Sequence, residues 1–327
     1  MNILRARNVN DALSIAIWHM RTNGVQETSR NGPVLVSPGP VVTQYDKPRE
    51  RVLFEPRRDC NHVFHLMEAI WMLAGANDVR WLLQFNSKFD QYAEGGITMH
   101  GAYGHRWRKH FGVDQITSLV RVLRNSPDTR QAVLGMWSPA DDLGGQWKDR
   151  PCNTHVYFDR RGGKLNMMVN CRSNDVLWGA YGSNVVHFSI LQELIASALD
   201  IPVGTYWQNS FNFHIYMSLP VARELLRSPP EDEDYNYYGY REHTGLVHPL
   251  LAPGEKLSTF LIDCEELVSG NTLFGTMFFQ NVAYPLMRCY INRKEGEAMA
   301  LNHVANCDWK LAFQQWCARR AEEKKHA

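Results

Sequence analysis

Cys152 stands between Pro151 and Asn153, at the head of the run CNTHVYFDRRGGKLNMMVNCRSNDVLWGAYGSN. A thiol becomes a strong nucleophile once it ionises, and neighbouring cations are the usual means of ionising it. Arg150 is adjacent, and Arg130 and Arg172 fall on flanking segments expected to share a sheet with it. Several guanidiniums converging on one cleft would also hold a phosphate, since each offers planar paired donors. Taken singly, each arginine reads as a surface charge and each cysteine as a small buried hydrophobe. Pro151 fixes its own φ and stiffens the backbone beside the thiol. Further on, Arg172, Ser173, Asp175 and Asn184 lie between a strand and a helix, a junction where ligands commonly bind. Asn184 carries the donor and acceptor needed to read the edge of a pyrimidine or an amide, and is equally suited to capping the helix after it.

The elements that must position these residues follow from periodicity. Apolar residues from Ala12 to Met20, after Asn10 and Asp11, predict a capped amphipathic helix. Residues 33–42 read as an early strand with a turn. Residues 62–74 read as a strongly apolar helix carrying one carboxylate, Glu68, and residues 78–89 as a second helix. A Gly-rich loop is expected over 95–104 and a third helix over 115–124. Alternation predicts strands over 132–136, 154–158 and 165–170, with Arg161, Gly162 and Gly163 as a hairpin turn. From Asn184 an apolar helix follows, then an aromatic strand over 206–216 and a late strand over 257–262. Residues 229–254 read as an inserted loop and residues 319–327 as a charged, solvated end. One α+β domain spanning 1–327, with a mixed sheet flanked by helices, accounts for all of this.

Composition narrows the function classes. A formal net charge of +1 argues against a protein that coats nucleic acid. No apolar run approaches the roughly 20 residues of a membrane span, and the N-terminus lacks a signal-peptide pattern. A cytoplasmic setting is expected. The seven cysteines are scattered without C-x-x-C spacing, which fits reduced thiols and no metal site.

Several motifs taken together resemble the thymidylate synthase family. These are EAIWMLAG (68–75), GAYGHRWR (101–108), DTRQAVLGMWSP (128–139), Cys152 after proline, RSNDV from Arg172, Asn184 opening an apolar helix, and HIY at 214–216. They occur in family order over about half the chain. The resemblance implies that Cys152 adds to C6 of a pyrimidine nucleoside monophosphate, which activates C5 toward 5,10-methylenetetrahydrofolate. It assigns Glu68 to ordering water and relaying protons, and Tyr103 to proton removal at C5. Arg172, Ser173 and Arg30 would hold the 5′-phosphate, with Arg130 reaching it from the partner subunit of a homodimer. His214 and Tyr216 would bind the sugar 3′-hydroxyl, Asn184 the base edge, and Asp175 and Phe89 the folate.

The chain departs from the family pattern at Asn153 (usually His), at Gln131 (usually Arg), at Phe89 and Tyr92 (usually Trp), in a GAYGSN segment one residue longer than usual, and in its charged C-terminus. These changes resemble the branch that hydroxymethylates dUMP, dCMP or CMP, known from phages and nucleoside-antibiotic pathways. There, water rather than hydride adds to the exocyclic methylene. Asn184 leans to dUMP, Asn153 and Ser183 are the specificity candidates, and a phage-infected host is one implied setting. Thymidylate synthesis is the alternative within the fold. A non-catalytic nucleotide- or RNA-binding protein is the distant one, and it would need neither Cys152, Glu68 nor Tyr103.

Overall fold

The computed structural model describes residues 1–231, 237–239, 246–293 and 301–326. Its centre is an eight-stranded mixed sheet. β1 (Asn2–Ala6), β4 (Val41–Tyr45), β8 (Val203–Tyr216), β7 (Leu165–Asp175), β6 (Asn153–Asp159) and β5 (Val133–Gly135) lie in that order. β1 pairs parallel to β4 and β7 parallel to β8, while the other neighbours are antiparallel. The β6–β7 hairpin closes on Gly162 and Gly163 at φ 65° and 70°, the left-handed region that favours glycine. β2 (Val25–Ser29) and β3 (Gly32–Val36) form a second hairpin, and β3 pairs with the end of β8, Val36 opposite His214. That pairing carries the hairpin tip, with Arg30, toward the ends of the central strands.

α1 (Val9–Asn23) is capped by Asn8, whose side chain accepts from the N–H groups of Asn10 and Asp11. α2 (His62–Leu73) is capped by Asn61 and buried on nearly every face, with Glu68 its half-buried exception. A helix hydrophobic all round belongs inside. α3 (Tyr103–His105), α4 (Gln115–Asn125) and α5 (Pro139–Asp142) lead into the β6–β7 hairpin, and α6 (Val185–Ala198) packs on β7, β8 and α2. α7 (Pro220–Arg227), α8 (Leu257–Val268), α9 (Tyr284–Asn292) and α10 (Asp308–His326) follow. The helices cover one face of the sheet. On the other face Trp207 and Met168 are half-buried, and Tyr157 and Phe211 are 45% and 71% exposed.

Two expected elements differ. Residues 78–89 are not a helix but short 3₁₀ turns, Leu82–Gln84 and Phe89–Tyr92, although Val79, Leu82, Phe85 and Phe89 are buried at the spacing that suggested one. Asn86 binds the backbone of Lys88 and interrupts the run. Residues 257–262 open α8 rather than forming a strand, because Phe260, Leu261, Cys264 and Leu267 bury a helical stripe. The charged end continues α10, anchored by Trp309, Phe313 and Trp316. Parts of the 229–254 insertion, 232–236 and 240–245, lie outside the described residues. No described helix is long and apolar enough to cross a membrane.

Candidate active site

Where β6 begins and β7 and β8 end, beside the β2–β3 hairpin, a cavity of about 710 Å³ opens. That suits a nucleotide-sized ligand. Cys152, Arg172, Ser173, His214, Tyr216 and Arg30 all line it, so six of the expected residues meet. Asp149, Arg150, Trp137, Trp147 and Asn212 also contribute, and none but Arg150 was expected. Asp149 accepts from the Gly101 N–H at 3.1 Å, and burial pushes its carboxyl above the usual range.

Cys152 is half-buried one residue before β6. Its carbonyl accepts from the Arg172 N–H at 2.8 Å, and the Arg172 guanidinium donates to the carbonyls of Pro151 (3.0 Å) and Arg150 (3.2 Å). The cation therefore braces the loop that holds the thiol. The expected drop in thiol pKa is not what the site produces. Burial pushes the thiol up, opposed by Arg172 and Arg30 and reinforced by Asp149. Arg130 is exposed and does not line the cavity.

Beneath the thiol lies a directional hydrogen-bond chain. Tyr103 Oη accepts from the N–H groups of Cys152 and Asn153, each at 3.2 Å, and from Asn153 Nδ2 at 3.1 Å. With three donors on its oxygen, its own O–H must point elsewhere. Burial raises the Tyr103 phenol well above its ordinary pKa. Asn153, fully buried, also donates to Asn184 Oδ1 (3.1 Å), and Asn184 Nδ2 donates to Asn174 Oδ1 (3.0 Å). Gln208 Nε2 donates to Asn153 Oδ1 (3.2 Å), and the Tyr206 hydroxyl donates to Gln208 Oε1. Each amide donates to the next oxygen in line, so the orientations of Gln208, Asn153, Asn184 and Asn174 are coupled to one another. Asn184 is no helix cap: its own φ and ψ are helical and it makes no capping bond.

The long GAYGSN segment is π-helical, Val176–Asn184, running straight into α6. A π turn takes up one residue more than an α turn, and the segment meets α6 without a break. Gly179 is required here, since a Cβ would stand 2.6 Å from Asn174 Oδ1. Ser183 is half-buried and away from the cavity lining.

Beside this segment Arg58, Glu68, Asp175 and His187 cluster. Arg58 Nε and Nη1, Glu68 Oε2, Asp175 Oδ2 and both ring nitrogens of His187 are buried without a hydrogen-bond partner in the protein. Burial lifts the Asp175 carboxyl and lowers His214, each opposed by the charge of the other. Arg58 lies 4.4 Å over the half-exposed Trp178 ring. Phe89 is a core side chain set edge-on against Phe64 at 5.6 Å, and Tyr92 rather than Phe89 reaches the cavity.

A family model described as thymidylate synthase matches residues 16–247. The chain belongs to the thymidylate synthase family. This family's enzymes are transferases. Among curated members, the chain is 40% identical to the deoxyuridylate hydroxymethyltransferase of Pseudomonas phage M6, over 98% of this chain and 95% of that one. It is 35% identical to the protein of the same name from Bacillus phage SP01, over 54% of this chain and 49% of that one. The fold is that of T4 phage thymidylate synthase, with a TM-score of 0.54 at 24% identity over 67% of this chain and 81% of that one.

Proposed function

We propose that this enzyme hydroxymethylates C5 of dUMP, with 5,10-methylenetetrahydrofolate and water as the other reactants. The carrying observation is the near full-length likeness to the phage M6 hydroxymethyltransferase, joined to a cavity in which Cys152 faces Arg172, Ser173 and Arg30. The folate fits the residues present: Asp175 Oδ2 is a buried acceptor with no partner, suited to a pterin N–H, and Arg58 has two unpartnered donors beside Trp178. When bound, it supplies the one-carbon unit.

The chain's own residues do the rest. Cys152 adds to C6 and makes C5 nucleophilic. Tyr103 relays the C5 proton, its oxygen oriented by three N–H donors that offset part of the burial that raises the phenol. Arg172, Arg30 and Ser173 hold the phosphate, and His214 and Tyr216 the 3′-hydroxyl. Asn184 keeps one N–H and one lone pair for the base, in the orientation the amide chain fixes. Uracil and cytosine present opposite donor–acceptor patterns, so a fixed amide accepts one and leaves unpaired polar groups with the other. In a homodimer closed over the bare sheet face, Arg130 of each subunit completes the other's phosphate site. The setting is the cytoplasm, that of an infected host included.

Mass spectrometry of the products from dUMP, dCMP, UMP and CMP tests the reading. 5-Hydroxymethyl-dUMP, lost in Cys152→Ala, is expected. Thymidylate with a rise in dihydrofolate absorbance would establish the methylase instead. Absence of tritium release from every 5-tritiated nucleotide would leave a binding protein.

A further inference from the structure

His187 is an imidazole that the reading above leaves without a task. It lies on α6 three residues beyond Asn184, so the two side chains share a helix face. Its Nε2 is 3.1 Å from Glu68 Oε2 on α2. The two atoms are at ion-pair distance, yet they are not aligned for a hydrogen bond, and neither has another partner in the protein. The next residue, Phe188, packs on the Tyr103 ring at 6.0 Å, which ties this part of α6 to the reaction centre. Around the pair, burial pushes the His65 imidazole well below its ordinary pKa. Leaving a buried polar atom unpaired is costly, so such atoms in native proteins generally meet water or ligand. A carboxylate and an imidazole with open valences, set against one another between two packed helices, form a receptor for a water proton.

Hydroxymethylation needs such a receptor and methylation does not. Resting on the hydroxymethylase reading, we infer that His187 is a positioning residue that acts through Glu68 to deprotonate the attacking water. The water oxygen forms a C–O bond to the exocyclic methylene carbon, and the C=C pair shifts toward the C4 carbonyl. That pair returns to make C5=C6 and breaks the C6–S bond, releasing Cys152 as a thiolate. The water proton passes to Glu68, which stands against His187, and then to the thiolate. No oxidant or reductant is consumed.

The test uses the full chain, dUMP tritiated at C5, methylenetetrahydrofolate and a small thiol that captures an unquenched methylene. His187→Gln and His187→Phe are compared with wild type by tritium release and by 5-hydroxymethyl-dUMP in the mass spectrum, and an unchanged dUMP affinity identifies variants that fold. Tritium release is expected to stay within about threefold, while hydroxymethyl product falls at least about tenfold and the thiol adduct takes its place. An unchanged ratio of product to tritium in both variants, or a parallel loss of the two, would overturn the role of His187. Thymidylate from the wild type would instead overturn the hydroxymethylase reading, and this inference with it.

Discussion

At the scale of single residues the site inverts one simple expectation. Guanidiniums beside a cysteine suggest a standing thiolate, but Arg172 turns two of its donors to the carbonyls of Pro151 and Arg150, and burial dominates at Cys152. The raised pKa favours the neutral thiol, so below that pKa the thiolate fraction climbs about tenfold per pH unit. Alkylation of Cys152 by iodoacetamide, followed by peptide mapping without nucleotide, should therefore rise through pH 9.0 without a plateau. A plateau near neutrality would show that the arginines win. Asn153 gives a second prediction. Asn153→Asp keeps the shape but sets an oxygen against Asn184 Oδ1, so the Asn184 amide must turn over. The ratio of kcat/KM for dUMP to that for dCMP should fall at least about tenfold, equivalent to ~1.4 kcal/mol. An unchanged ratio would show that Asn153 does not set the amide. Cys152, Arg172, Ser173 and His214 were legible in the sequence because motif order carries them. Asp149 and His187 were not, since their importance depends on which helices and loops meet, and neither belongs to a motif.

At the scale of elements, long periodic segments were legible and short ones were not. α2 and α6 declare themselves through many buried positions, whereas residues 78–89 bury the right side chains through 3₁₀ turns that share the i, i+3 spacing. The extra residue in GAYGSN was visible as a length, but only the structure shows it as a π-helical segment. That segment yields a prediction of its own. Deleting Ser183 should convert it to an α turn while α6, locked by Val185, Phe188, Leu191 and Leu194, keeps its place with Asn184 at its head. The strain then falls on Asp175 and Trp178, upstream of the deletion. Calorimetry should find dUMP affinity changed less than about threefold, while product formation drops at least about tenfold through a weakened folate site. Equal losses in both would mean that the π turn positions the base rather than the folate.

At the scale of the whole molecule, an eight-stranded sheet with helices on one face needs a cover for the other. Tyr157 and Phe211 stand out from that bare face, with Trp207 and Met168 between them, and apolar area of this kind is what an isologous dimer buries. The family resemblance implied a homodimer, but the strand pattern did not say which face it would bury, because strands that alternate tell which residues leave the core and not what they meet. Arg130 points the same way, since it is exposed and absent from the cavity of its own subunit. If it serves the neighbouring site, Arg130→Ala and Cys152→Ala enzymes are each nearly inactive, but a mixture unfolded and refolded together is not. In a mixed dimer one site carries both defects and the other carries neither. With equal mixing half the dimers are mixed and one of their two sites is intact, so activity should return to about a quarter of wild type. An arginine that works within its own subunit would leave Cys152 and Arg130 intact together in no site of the mixed dimer, and the mixture would stay as inactive as its parts.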